Sequence, residues 1–476
     1  MTATSPVLTF VGAAGTVTGS KTILDTEHGR LLIDCGLFQG RKHLRLQNWA
    51  PFPVPPESID AVVLTHAHLD HCGYLPRLTR LGFRGPVFCT EGTRRLAEIV
   101  LPDSGHLQEE EARFANRKGY SKHDPAEPLY TKAEAIASLE QLRTVAFDAA
   151  TNVLRGVDVT WRRAGHILGA ATLSIHLLED SIVTVFSGDL GRTTHPLLLP
   201  PPPIGRADLV VTESTYGDES HSDRDPEQQI AEAIEHVVDR DGVLVVPAFA
   251  VDRTEVVLWH IDRLVSEGRV PDIPIFVDSP MACRALDVYR EEARRGSPEF
   301  RPERHGSDLF PALRLTEVTS VDESKALNDR RGPIVIISAS GMATGGRVIH
   351  HLTQRIGDED NAVMLVGFQA PGTRGEALRN GARQLKMFGQ YHPVRARVFS
   401  VELSAHADQD DLIAWLATAS PPPRMVFVNH GEPPASEALS RAIEDRLGFY
   451  AVVPRPGERV RLDPLPARTA VSEPRS

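Results

Sequence analysis

Short, nearly continuous apolar runs punctuate the chain, and between them lie stretches whose apolar positions recur at helical spacing. Between residues 7 and 205 the runs 7–11, 30–34 and 181–186 read as strands and 131–142 as a helix. Strands arriving mostly ahead of helices suggest sheets covered on the outside by helices. The run Pro200-Pro201-Pro202-Pro203 then breaks the pattern, as a stiff linker or an edge crossing. From 206 to 378 the rhythm is stricter: 208–212, 242–246, 273–277, 333–338 and 362–367 read as buried strands with helical segments between most of them. This predicts an α/β domain with a largely parallel sheet. Strands at 395–401 and 424–428 and helices at 408–416 and 433–447 resume a second style, and the tail beyond Pro464 is expected to fray. The division expected is 1–205, 206–378 and 379–476.

A length of 476 residues exceeds one ordinary core, so two domains are the first expectation. Hydrophobic residues at 41 % and charged residues at 24 % describe an ordinary globular chain. No apolar run approaches the roughly 20 residues that span a bilayer. The opening Met1-Thr2-Ala3-Thr4-Ser5-Pro6 lacks the regions of a signal peptide, so a cytoplasmic location without a membrane partner is expected. Cys35, Cys72, Cys89 and Cys283 lack the paired spacing of a zinc knuckle and suit a reducing compartment as buried thiols; Cys72, beside His71, is read as packing rather than ligation. A net charge of −11 argues against unselective capture of nucleic acid while leaving room for a local basic groove.

Chemistry enters at His66-Ala67-His68-Leu69-Asp70-His71, which follows the apolar run 59–64. A strand ending there delivers three imidazoles and a carboxylate into one loop, where alternate residues can converge on one ion and the next pair on a second. A binuclear site needs further ligands, each following a strand so that its side chain reaches the same edge. Three fit: His166 in Ala164-Gly165-His166-Ile167-Leu168-Gly169-Ala170, Asp189 in Phe186-Ser187-Gly188-Asp189-Leu190-Gly191, and His430 in Phe427-Val428-Asn429-His430-Gly431-Glu432. Asp189 offers two oxygens able to bridge a pair of ions. The loop 338–347, with Ser340, Gly341, Gly345 and Gly346, lies between an apolar strand and a helix and can turn backbone N–H groups toward a phosphate. His350 and His351 on that helix read as packing or surface groups.

The full set resembles the metallo-β-lactamase superfamily and, within it, the β-CASP branch of nucleases, which includes ribonuclease J-type enzymes and the cleavage endonuclease of polyadenylation. The likeness runs from Phe10-Val11-Gly12 to His430 and includes Val211-Thr212-Glu213-Ser214-Thr215-Tyr216-Gly217, Ser404-Ala405-His406-Ala407-Asp408, and Pro247-Ala248-Phe249-Ala250-Val251 with Arg253. It implies an αββα sandwich with an inserted β-CASP α/β domain, the last zinc ligand lying in the C-terminal part. It also implies two Zn²⁺ per chain on His66, His68, Asp70, His71, His166, Asp189 and His430, and a homodimer. Asp70 counts both as ligand and as catalytic carboxylate, and Arg253 and Ser404 join the phosphate contacts. One departure is visible: Asp252 stands where relatives usually carry glycine, and Glu255 where an amide is usual, so a carboxylate is added beside a phosphate path.

A zinc pair lowers the pKa of water toward neutrality and neutralises the oxygens of an in-line phosphoryl displacement. The leaving oxygen then needs a proton, and His406, oriented or tuned by Glu213, is the expected general acid. The expected function is zinc-dependent hydrolysis of single-stranded RNA in RNA processing or decay. A DNA-directed nuclease, a small-molecule hydrolase of the superfamily and a non-catalytic RNA-binding scaffold are the alternatives.

Overall fold

In the computed structural model, described for residues 5–119, 123–220, 225–367, 369–370 and 372–463, two seven-stranded sheets face each other and a six-stranded sheet forms a second unit. The expected fraying beyond Pro464 lies outside the described residues. The first sheet runs, in order, Arg459–Arg461, Val7–Phe10, Thr22–Thr26, Gly29–Ile33, Ala61–Val63, Val87–Thr90 and Leu142–Val145. The second runs Ala451–Val452, Met425–Val428, Leu209–Thr212, Ile182–Phe186, Ala171–Leu177, Val157–Arg163 and Ala150–Leu154.

Alternation along the strands explains the layering, because successive side chains leave opposite faces. In Gly29–Ile33, Leu31 and Ile33 join the core between the sheets with Phe10, Val63, Trp161, Leu173, Phe186 and Phe427, while Leu32 packs outward against the helical layer. Gln409–Leu416 and Pro433–Leu447 cover the outer face of the second sheet. The result is the expected αββα sandwich. Trp161 stitches its halves, since its indole Nε1–H donates to the Leu64 carbonyl at 3.0 Å, at the end of the strand that leads to His66.

The six-stranded sheet is parallel throughout, in the order Leu315–Glu317, Ile275–Val277, Ile334–Ser338, Val243–Pro247, Ala362–Val366 and Arg397–Val401. Its membership corrects two expected limits. Leu209–Thr212, read as the first strand of the 206–378 unit, pairs in parallel with Ile182–Phe186 and Met425–Val428 inside the sandwich. Arg397–Val401, read with the C-terminal segment, is instead the edge of the parallel sheet beside Ala362–Val366. Leu209–Thr212, buried on both faces, reads as the same apolar run in either sheet, and the half-exposed Arg397–Val401 could close the edge of either, so the pattern alone assigns neither.

The proline run is an edge crossing. The Pro202 carbonyl accepts from Trp415 Nε1 and the Pro203 carbonyl from Arg162, while just ahead of the run Leu199 N–H donates to the Glu299 carbonyl and Arg301 N–H to the Leu197 carbonyl. No described helix is long and apolar enough to cross a membrane.

Trp161 is fully buried. Trp161→Phe should therefore leave a void and an unpaired Leu64 carbonyl, and lower unfolding free energy by about 1–3 kcal/mol. A urea titration of wild type and variant checks the size and sign.

Candidate metal centre

Ala61–Val63 ends beneath the cluster, and the chain turns through His66 and His68 into the short helix Leu69–Cys72. Asp189 follows Ile182–Phe186, His166 follows Val157–Arg163 and His430 follows Met425–Val428. The seven sequence-derived ligands meet in two groups, His66, His68, His166 and Asp189 in one and Asp70, His71 and His430 in the other, with donor atoms inside each group within 4.8 Å of one another. Asp189 reaches both. Its Oδ2 lies 3.5 Å from His66 and 3.6 Å from His166, its Oδ1 3.1 Å from His71 and 3.6 Å from His430.

Proton counting tests whether these residues suit a cation. His166 donates Nδ1–H to the Ala405 carbonyl at 3.3 Å, and His66 donates Nδ1–H to Thr65 Oγ1 at 3.1 Å. Both Nε2 lone pairs then face His68 Nδ1 at 3.1 Å, where one proton can satisfy only one of them. His71 donates Nδ1–H to Asp34 at 2.7 Å and turns its Nε2 inward, 3.0 Å from His430 Nε2 and 3.1 Å from Asp189 Oδ1. Burial lowers its pKa, but Asp189 and Asp34 outweigh burial and hold it well above the usual imidazole value. Asp189 Oδ1 is buried without a hydrogen bond among the described residues. Around His68 lone pairs outnumber protons, and an imidazole and carboxylate cage with that deficit fits Zn²⁺. Burial, reinforced by neighbouring rings, holds His66 and His166 well below the usual imidazole range, which keeps them in the neutral, ligating form. For Asp189 burial opposes ionisation, but His71 and His430 outweigh it and hold the carboxyl well below its usual value.

Asp34 was not among the sequence-derived candidates. It ends the apolar strand Gly29–Ile33 in a left-handed conformation at φ 58°, and accepts from the Thr65 N–H at 2.8 Å, the Thr65 hydroxyl and His71. A partner of this kind fixes which imidazole nitrogen faces the metal. The available signal was the one that identified Asp189, a carboxylate closing a buried strand. Cys72 donates its thiol to the Ala67 carbonyl at 3.3 Å, and burial pushes its pKa well up, so it packs rather than ligates.

His406 stands against the first group. Its Nδ1 contacts Glu213 at 3.1 Å, and its Nε2 lies 3.9 Å from Asp189 Oδ2. Glu213 is itself fixed by the Leu190 N–H at 2.6 Å. Burial lowers the imidazole pKa, but Glu213 and Asp189 outweigh it and hold it up at about 9. The loop carrying His406 is laced to the Asp189 loop, with Ala407 N–H donating to the Leu190 carbonyl at 2.7 Å.

The proposed phosphate contacts are less concentrated. Ser404 Oγ accepts from the His406 N–H within its own turn, and Ser340 Oγ accepts from the Thr344 N–H within the glycine-rich loop. Gly341 is buried against Phe249, Gly346 precedes the helix Arg347–Arg355 at φ 77°, and Gly345 has open space around it. Arg253 is buried beside Gly367 and its Nε has no hydrogen bond among the described residues. Asp252 does not chelate it. Asp252 Oδ1 accepts from His195 Nε2–H and from the Tyr289 hydroxyl, each at 3.1 Å. The Glu255 carboxyl, fully buried, is pushed well up by burial and by Asp252.

Those contacts also tie the inserted unit to the ligand loops. The Tyr289 hydroxyl accepts from the Leu168 N–H at 3.0 Å, two residues after His166, and Glu299 accepts from the Gly169 N–H at 2.6 Å. Gly169, at φ 80°, lets that loop lie on the first turn of Glu91–Lys118; a Cβ there would stand 2.1 Å from the Thr93 nitrogen.

Comparison with known proteins agrees with this geometry. Residues 29–247 match a beta-lactamase superfamily domain, 254–378 a Beta-Casp domain, and 391–454 a Zn-dependent metallo-hydrolase RNA specificity domain. The chain is 36 % identical to Ribonuclease TTHA0252 of Thermus thermophilus over 455 residues, 94 % of this chain and 98 % of that one. It is 29 % identical to an RNase J-like protein of Methanocaldococcus jannaschii, covering 94 % and 98 %, and 29 % identical to the transcription termination factor FttA of the same organism, covering 89 % and 67 %. A crystal structure of a protein of unknown function from Enterococcus faecalis V583 shares the fold, with TM-score 0.53 and 15 % identity over 96 % of this chain and 100 % of that one.

Glu299 gives a pH dependence with a definite sign. Burial pushes its carboxyl from 4.5 up to about 8. Between those values the folded chain holds a proton that the unfolded chain has lost, so this group's contribution to stability is full at low pH and falls as pH rises toward 8. Glu299→Gln should match wild type near pH 4.5 and exceed it by a few kcal/mol at pH 8, read from urea midpoints at the two pH values.

Proposed function

The chain belongs to the β-CASP branch of the zinc-dependent metallo-hydrolases, and from that premise we propose that it hydrolyses phosphodiester bonds of single-stranded RNA with two zinc ions per chain. The observation that carries the reading is Asp189 shared between two ligand groups, with the His406–Glu213 pair directly against one of them. In the proposal His66, His68 and His166 would hold one ion and Asp70, His71 and His430 the other, with Asp189 within reach of both groups. Bound there, the ions would supply an activated water and neutralise charge on the transferred phosphoryl group.

The chain's own part is to orient and to move a proton. Glu213 takes the Nδ1 side of His406, so Nε2–H of the imidazolium is the proton turned toward the metal groups, placed to reach a leaving oxygen. Arg253, buried without an ion pair among the described residues, is positioned for a phosphate. RNA rather than DNA is supported by the printed names of the relatives and by the RNA specificity domain that spans His406 and His430. The complete ligand set speaks against the scaffold reading, and the inserted unit against a small-molecule substrate. Four buried free thiols suit action in a reducing compartment.

Asp189→Ala should lose both bound zinc and cleavage, whereas His406→Ala should keep both ions and slow cleavage by about 10²- to 10⁴-fold. Metal content by mass spectrometry, alongside cleavage of a labelled RNA, separates the two; loss of zinc from His406→Ala would remove its role as acid. Given matched RNA and DNA strands, the enzyme should cut RNA faster, and faster DNA cleavage would reverse the substrate assignment.

A further inference from the structure

The hairpin Gln384–Met387 and Gln390–Pro393 turns Leu385 and Met387 into the core of the inserted unit and leaves the cross-strand partners Lys386 and Tyr391 on its outer face. Tyr391 is 67 % exposed and Phe388, at the tip, 63 %. The Lys386 ammonium stands 5.6 Å from the Tyr391 ring, and the Phe388 ring lies 4.8 Å from that of His350. Phe388 and Gly389 have φ 48° and 84°. A two-residue turn with positive φ at both positions favours Asn-Gly, and a left-handed phenylalanine costs about 1–2 kcal/mol. Strained backbone and an aromatic ring in water both oppose folding. The contact with His350 covers only part of the ring, and such outliers cluster at functional sites.

A groove of about 360 Å³ beneath the tip is lined by Thr344, Gly346, His350, Arg374 and Phe388. A second, of about 390 Å³, passes Thr344, Arg374 and Lys386. Arg374 donates to the carbonyls of Lys386, Ala343 and Thr344, so its position is fixed while its charge meets no carboxylate among the described residues. Lys386 likewise forms no ion pair among them.

A chain of buried contacts links the metal centre to the loop that borders these grooves. The Tyr216 ring is 6.1 Å from that of His406, Arg253 neighbours Tyr216 and packs on Gly367, and Gln369 donates to the Gly341 carbonyl at the start of the loop that carries Thr344. We propose that the hairpin and Arg374 form a second platform for single-stranded RNA, outside the cleft, where bases stack on Phe388 and Tyr391 and phosphates lie along Lys386 and Arg374. This rests on the reading of the protein as an RNA hydrolase. Unpaired cations beside exposed rings complement a polyanion with aromatic bases, whereas the same face of a second copy would bring like charges together.

The test uses the zinc-loaded enzyme with a tetranucleotide and with an oligoadenylate of about 20 nucleotides, long enough to leave the cleft. Phe388→Gly removes the ring and relieves the left-handed strain, so it keeps the fold; Tyr391→Leu removes stacking and keeps an apolar surface. Each should raise KM for the long RNA about tenfold and leave kcat, and KM for the tetranucleotide, unchanged. Lys386→Gln should flatten the log–log salt dependence of the long-RNA KM by about 0.7. An unmoved long-RNA KM, or an equal change at both lengths, overturns the platform while leaving the hydrolase reading intact. So does a dimer that dissociates in these variants with KM unmoved, which would make the face a contact between copies. A wild type that cuts neither RNA refutes the function proposed above, and this platform with it.

Discussion

A buried cage in which lone pairs outnumber protons is unstable unless the fold forces it, and the rest of this architecture can be read as the means of forcing it. Imidazole nitrogens 3.0–3.1 Å apart would separate if their loops were free. Each loop is instead anchored at a sheet edge, and several rings are also fixed from behind. Asp34 holds His71, the Ala405 carbonyl holds His166 and Thr65 holds His66. The acceptors outside the cage decide which nitrogen faces inward.

Three neighbouring parallel strands of the second sheet share in this positioning. Ile182–Phe186 and Leu209–Thr212 are parallel neighbours, so Asp189 and Glu213 emerge at the same edge of the second sheet. The next neighbour, Met425–Val428, brings His430 to that edge as well. The inserted unit therefore interrupts the sandwich between adjacent strands without disturbing their register. It returns contacts to the ligand loops through Tyr289 on Leu168 and Glu299 on Gly169. Cleft and metal cage are thus one mechanical assembly.

Most of this was legible because it is local. The cluster His66 to His71 and the strand-then-ligand rule at His166, Asp189 and His430 depend only on short stretches of sequence. What was not legible depends on which strands become neighbours. Leu209–Thr212 was placed in the wrong unit because a doubly buried strand carries no mark of its sheet, and Arg397–Val401 because a half-exposed strand can close the edge of either. Asp34 was passed over because its role appears only when Gly29–Ile33 and Ala61–Val63 pair and bring it beneath Thr65.

The carboxylates beside Arg253 show how far formal charge can mislead. Read along the chain, Asp252 and Glu255 add two negative charges to a phosphate path. In the fold the two are driven in opposite directions. Burial and the neighbouring Asp252 push the Glu255 carboxyl well up. Asp252 stays ionised because His195 and Arg253 outweigh its burial, yet the Asp252 Oδ1 is held by His195 and Tyr289. Its backbone at φ 68° starts the helix Arg253–Ser266 in a conformation more natural to glycine. The residue thus combines a strained cap with a tie between Tyr289 and the His195 loop, and it leaves the hydrogen-bonding edge of Arg253 unclaimed. The net charge of −11 says little about this position for that reason: the Asp252 Oδ1 is turned to internal partners, while the Arg253 Nε has no hydrogen bond among the described residues.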